Sequence, residues 1–119
     1  MKISRRLYGV LLLGATAGLV ACSRGASGDD GKIVLGFSQI GAESEWRTAN
    51  TRSITQAAAD AGIELKFSDA QQKQENQIKA IRSFIAQRVD VISFSPVVET
   101  GWEPVLQEAK AAGIPVILT

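Results

Sequence analysis

Residues 32–69 read KIVLGFSQIGAESEWRTANTRSITQAAADAGIELKFSD, and the order of residue types in this stretch decides the fold. Ile33 to Phe37 is a short, nearly continuous apolar run, as expected of a parallel strand covered on both faces. Ser44 can cap a helix that starts at Glu45, where two nearby acids suit the positive end of the helix dipole. Trp46, Ala49, Ile54, Ala57, Ala58 and Ala61 form one apolar stripe, the face this helix is expected to bury. Gly62 stands at the C′ position, where a left-handed residue ends a helix. Ile63 to Phe67 is the second strand.

The pattern continues downstream. Gln74 to Gln87 predicts a second helix with Ile78, Ile81, Phe84 and Ile85 on one face. Val89 to Phe94 is a third strand. A third helix from near Gly101 turns Trp102, Val105, Leu106 and Ala109 inward, and Gly113 stops it before a fourth strand, Ile114 to Leu118. The order β-α-β-α-β-α-β with short connections predicts an α/β fold, a parallel sheet flanked by helices with right-handed crossovers. A doubly wound domain usually has about five or six strands, so residues 32–119 are expected to be an incomplete one.

Upstream, residues 1–21 read MKISRRLYGVLLLGATAGLVA. Lys2, Arg5 and Arg6 precede an uncharged run from Leu7 to Ala21, shorter than the roughly 20 residues a membrane-spanning helix needs and suited to a secretory signal peptide. The run ends Leu19-Val20-Ala21-Cys22, which looks like the lipobox of a bacterial lipoprotein, so Cys22 is the expected lipidation site. Residues 22–31 are small and polar, as a tether between a lipid anchor and a folded body would be. The expected location is extracytoplasmic, in the periplasm or at the cell surface. A plain signal peptide with a bystander cysteine, or a short membrane anchor, is the other reading.

Composition narrows the chemistry. Thirteen Lys and Arg against twelve Asp and Glu, a net charge of +1, leave no basic face for nucleic acid. Histidine is absent, which removes histidine triads, histidine metal sites and the usual general base near neutral pH. A single cysteine closes no internal disulfide and builds no thiolate metal cluster. No glycine-rich phosphate motif and no G-x-S-x-G elbow occur. No enzyme activity, cofactor or metal is expected.

In an open parallel sheet, ligands bind beyond the carboxyl ends of the strands where strand order reverses. For the common 2-1-3-4-5 order, that singles out two loops, Ser38 to Arg47 and Ser95 to Trp102. The first holds Glu43, Ser44, Glu45, Trp46 and Arg47 in a row. A carboxylate accepts hydrogen bonds, a guanidinium donates several in a fixed fork, and an indole offers an apolar face. A sugar needs all three, since its hydroxyls donate and accept while its C–H faces are apolar. The same residues also fit a plain helix start, with dipole acids, a core tryptophan and a solvated arginine. In the second loop, Glu99 or Thr100 is expected to cap the third helix and Trp102 to be core. Asp69 is expected to cap the segment after the second strand. Gln71, Gln72, Gln74, Asn76 and Gln77 are expected to form a solvated face.

These strings carry a resemblance. Leu35-Gly36-Phe37-Ser38-Gln39, the run from Glu43 to Arg47, the run from Asp69 to Ala80 and the run from Ser95 to Leu106 are similar to substrate-binding proteins of bacterial ABC sugar importers. The class is that of ribose and galactose binding, and the likeness is strongest to its galactofuranose-binding branch. It implies a type I periplasmic binding protein fold, of which residues 32–119 would be part of the first lobe. It also implies a receptor, monomeric when full length, that closes on a galactofuranose-like monosaccharide and delivers it to permease subunits in the membrane. In that family the E-S-x-W-R segment lines the sugar site, which assigns ligand binding to Glu43, Ser44, Glu45, Trp46 and Arg47. A sugar-sensing module of a membrane signalling system is the alternative on the same fold.

Overall fold

The computed structural model describes residues 31–119. The signal segment, Cys22 and all of the tether except Gly31 lie outside the described residues. Seven elements alternate: β1 (Val34–Gln39), α1 (Glu45–Asp60), β2 (Glu64–Asp69), α2 (Gln74–Ala86), β3 (Val91–Phe94), α3 (Glu103–Ala111) and β4 (Val116–Leu118). The strands are parallel and ordered β2-β1-β3-β4. The chain steps one way from β1 to β2 and the other way from β2 to β3 and β4. Right-handed crossovers therefore put α1 on one face of the sheet, and α2 and α3 on the other.

The three helices among the described residues end by the same geometry, and this moves the starts of β3 and β4. Gly62, Arg88 and Gly113 have φ of 69°, 55° and 72°. The amides after them reach back into the helix, Ile63 to the Ala58 carbonyl, Val89 to Phe84 and Ile114 to Ala109, at 2.8–3.2 Å. This is the Schellman pattern. Val89 and Ile114 are buried but commit their amides to the helix cap, so β3 and β4 each begin two residues later than their apolar runs. Arg88 holds a left-handed conformation that glycine adopts without a Cβ penalty of roughly 1–2 kcal/mol. Arg88→Gly is expected to stabilise the protein by about 1 kcal/mol, read as a higher urea midpoint at unchanged slope.

The main core lies between the sheet and the α2/α3 layer. Ile81 and Phe84 of α2, Ile92 and Phe94 of β3, Val105 of α3 and Trp102 at its N-cap pack there. The parallel register sets Gly36 of β1 beside Ile92, under the Phe84 ring. A Cβ on Gly36 would come within 2.5 Å of that ring, so the centre of β1 has no room for a side chain.

On the opposite face, the stripe expected of α1 is corrected. Trp46 is 73% exposed, Ala49, Ala57 and Ala61 are exposed, and Ala58 is the only fully buried residue of this helix. The side turned to the sheet is Arg47, Thr51, Ile54 and Ala58, the first three half-buried, at 4-3-4 spacing. It is rotated from the most apolar side because the end of β1 presents the polar Gln39 to the helix.

The expected cap of α3 is also corrected. Its N-cap is Trp102, with no side-chain cap bond. Pro104 near the helix start has no N–H to satisfy, which lessens the need for one.

Candidate functional site

β1 has β2 on one side and β3 on the other, so strand order reverses at its carboxyl end and a crevice opens there. Gln39, the last residue of β1, organises it. The side chain is almost fully buried, at 3% exposure. Its Nε2 donates to the carbonyls of Gly41 at 2.7 Å and Arg47 at 3.1 Å. Its Oε1 accepts from Asn50 Nδ2 at 3.2 Å and Thr51 Oγ1 at 3.1 Å. A buried amide is tolerated only when such bonds replace water. The four contacts tie the β1–α1 loop and the first two turns of α1 to the end of the strand.

That tie presents the Glu43–Arg47 segment. Ser44 is the N-cap, its Oγ accepting from the Arg47 N–H at 3.3 Å. Arg47 donates through Nη1 to the Glu43 carboxylate at 2.9 Å. The Glu43 carboxyl is held below its ordinary value, first by its own backbone N–H and then by hydrogen bonds from Gln72 and Arg47, against a desolvation effect of opposite sign. It folds back over Gly41, where a Cβ would run into it. Trp46 projects into solvent beside Arg47, and Glu45 is an exposed acid of the first helical turn.

Trp46 and Arg47 line a cleft of 120 Å³ together with Phe37, Gln39, Asn50 and Ser95, among others. Glu43, Ser44 and Glu45 do not line it. The cleft is smaller than the roughly 300–1,000 Å³ of small-molecule sites that enclose their ligands. From the second loop, Ser95 joins the cleft and donates through Oγ to the Thr119 carbonyl at 2.5 Å. The rest of that loop borders a larger groove of 680 Å³ against Leu106 and Leu118. That groove runs along α3 and β4, with mostly apolar walls apart from Glu99 and Glu103.

Gln71 and Gln72 of the glutamine-rich segment are exposed, as a solvated face would be, whereas Gln74, Asn76 and Gln77 are not. Gln77 is fully buried; its Nε2 donates to the Ser95 carbonyl at 2.7 Å and its Oε1 accepts from the Val97 N–H at 2.9 Å. Gln74 Nε2 donates to the Thr100 carbonyl at 2.7 Å. These amides fasten the β3–α3 loop to α2. Asp69 closes a turn by accepting from the Gln71 N–H at 2.8 Å, and α2 has no side-chain cap bond at Lys73. Polarity suggested solvent for these residues; across the gap between the two loops it supplies the bonds that irregular backbone lacks. Among the described residues, no group of three Asp, Glu, Cys or His side chains is placed to hold a metal.

A parallel α/β sheet with a crevice at its switch point is the layout in which ligands bind in open α/β folds. Residues 35–119 match the family model described as the periplasmic binding protein domain, and the chain belongs to that family. It is 62% identical over 86 residues to the galactofuranose-binding protein YtfQ of Escherichia coli, covering 72% of this chain and 27% of that protein. Among solved structures, a Mycobacterium smegmatis protein in complex with β-D-fucofuranose is 70% identical, with a TM-score of 0.71 over 72% of this chain and 28% of that one. The periplasmic binding protein component of the arabinose ABC transporter from Shewanella sp. ANA-3, bound to α- and β-L-arabinofuranose, is 64% identical, with a TM-score of 0.70 over 71% and 28%. The chain thus spans just over a quarter of the length of these proteins.

The Escherichia coli relative is named a binding protein and the Shewanella relative the binding component of an ABC transporter, and the periplasmic binding protein family implies an extracytoplasmic location. No helix among the described residues is long and apolar enough to cross a membrane.

Proposed function

We propose that this chain supplies part of the first lobe of an extracytoplasmic receptor that captures a monosaccharide in its furanose form, galactofuranose-like, and delivers it to an ABC permease. The observation that carries the proposal is the pairing of a 73%-exposed Trp46 with Arg47 in the cleft at the end of β1. An exposed indole beside a guanidinium offers an apolar face and hydrogen-bond donors at one place. A sugar ring meets the indole with its C–H face, while the Arg47 fork donates to its oxygens. Glu43 holds Arg47 in place and Ser44 fixes the turn from which both project. Three similar proteins bear furanose ligands in their names, which supports the five-membered ring. The small volume of the cleft agrees with a ligand shared between two lobes.

Calorimetry on the two-lobed protein tests this. Titration with D-galactose and L-arabinose, whose solutions contain furanose forms, is expected to give binding heat. D-Glucose, with almost none, is expected to give little. Equal heats for all three sugars would remove the furanose reading, and no heat from any would remove the sugar.

We further propose that residues 1–21 are a signal peptide and that Cys22 carries the lipid that holds the receptor at the membrane. One acyl chain gives marginal binding and two hold stably. Cys22→Ser is expected to prevent lipidation and the cut before position 22, read by mass spectrometry as an unmodified chain that keeps its first 21 residues; an unmodified Cys22 in an uncleaved chain of the unsubstituted protein would overturn the anchor.

A further inference from the structure

The side-chain amides of Gln39 and Asn50 meet at the crevice beyond β1, and the bonds of the first fix the orientation of the second. Gln39 Nε2 donates its two hydrogens to the carbonyls of Gly41 and Arg47. Carbonyl oxygens only accept, so nitrogen must stand at that corner of the amide and Oε1 at the other. Oε1 then requires donors. Thr51 Oγ1 offers a single hydrogen, for which the Arg47 carbonyl at 3.0 Å competes. The dedicated donor is Asn50 Nδ2, at 3.2 Å. With its nitrogen turned to Gln39, the Asn50 amide holds its Oδ1 on the side away from Gln39.

That oxygen accepts no hydrogen bond from the protein. Among the described residues, Ser38 Oγ is the only buried side-chain polar atom left without a partner, so Asn50 Oδ1 is open to solvent. Asn50 lines the cleft together with Trp46 and Arg47. These precede it by four and three residues in α1, the spacings that place side chains on one face of a helix. On this wall of the cleft the Gln39 amide is fully committed and Arg47 only donates. Asn50 adds an acceptor whose direction is fixed before any ligand arrives.

We infer that Asn50 is a specificity-determining residue: its Oδ1, aimed by Gln39, accepts a hydrogen bond from one hydroxyl of the bound sugar. The inference rests on the sugar-binding reading above. An indole face and a guanidinium recognise C–H faces and oxygens, which every sugar carries. An acceptor already in place recognises O–H, and a sugar lacking that hydroxyl leaves the acceptor desolvated and unpaired.

Calorimetry on the two-lobed protein tests this with L-arabinose or D-galactose, whichever binds more tightly. The probes are the singly deoxygenated forms of that sugar and its methyl furanoside, which together remove or block each hydroxyl in turn. Asn50→Ala should bind the parent sugar about tenfold more weakly, the equivalent of one modest hydrogen bond. The probe without the hydroxyl that meets Asn50 should bind the unsubstituted protein about tenfold more weakly than the parent sugar does. To Asn50→Ala, that probe and the parent sugar should bind equally well. The ligand-free melting temperature should change little, since alanine suits a helix and Thr51 still donates to Gln39.

If every probe loses the same factor in Asn50→Ala as in the unsubstituted protein, no hydroxyl meets Asn50 and the inference is overturned. A uniform loss for all sugars together with a lower melting temperature would also overturn it, leaving Asn50 as a support for Gln39 alone. If the unsubstituted protein binds neither parent sugar, the proposed function falls and takes the inference with it.

Discussion

Trp46→Ala lowers sugar affinity by about thirty-fold to a thousand-fold and leaves the melting temperature of the ligand-free protein nearly unchanged. The binding estimate follows from the roughly 2–4 kcal/mol lost on truncating an aromatic hot spot, at about 1.4 kcal/mol per tenfold. The stability half follows from burial. At 73% exposure, the indole contributes little to the ligand-free fold, whereas a buried aromatic truncated to alanine costs roughly 3–5 kcal/mol. Calorimetry for affinity and a thermal melt without sugar, both on the two-lobed protein, read the two quantities separately. A melt that drops sharply while the folded fraction binds normally would return Trp46 to the core and remove it from the site.

The second tryptophan should behave in the opposite way. Trp102 is 7% exposed, packs against Phe94 at a ring separation of 5.0 Å and donates through Nε1 to the Val98 carbonyl at 2.7 Å. Trp102→Ala is expected to cost about 3–5 kcal/mol, a large share of the roughly 5–15 kcal/mol that keeps a domain folded. Trp102→Phe keeps a ring against Phe94 but leaves the Val98 carbonyl without its donor, at a smaller cost of about 1–2 kcal/mol. Urea unfolding of both variants checks the order. Equal losses would mean that ring packing contributes little beyond the hydrogen bond.

The contrast between the two tryptophans shows where sequence reading ran out. Each lies next to or within the first turn of a helix, among apolar residues at helical spacing, and pattern does not distinguish them. The fold does, because α3 packs beside α2 over Phe94, whereas α1 turns Arg47, Thr51, Ile54 and Ala58 to the sheet and leaves Trp46 outside. Gln39 and Gln77 extend the lesson. Their polarity suggested loop ends and solvent, yet both are buried, because each of the two crevice loops needs partners for its irregular backbone and a glutamine supplies a donor and an acceptor at once. The one available signal for Gln39 was a long polar residue closing an otherwise apolar strand.

By itself, the sequence determined the alternation of strands and helices, the parallel α/β class, the glycines that end α1 and α3 and the two loops that flank the crevice. These are local properties: hydrophobic period, capping chemistry and turn residues act over a few positions and are written in consecutive letters. The tertiary structure alone decided which side of α1 meets the sheet, that Gln39 binds the start of α1 to the end of β1, and that Arg47 lines the cleft while Glu43 holds it. Each of these depends on residues far apart in the chain meeting at the end of a sheet. Their contact is set by strand register and crossover hand, which no local window of sequence contains.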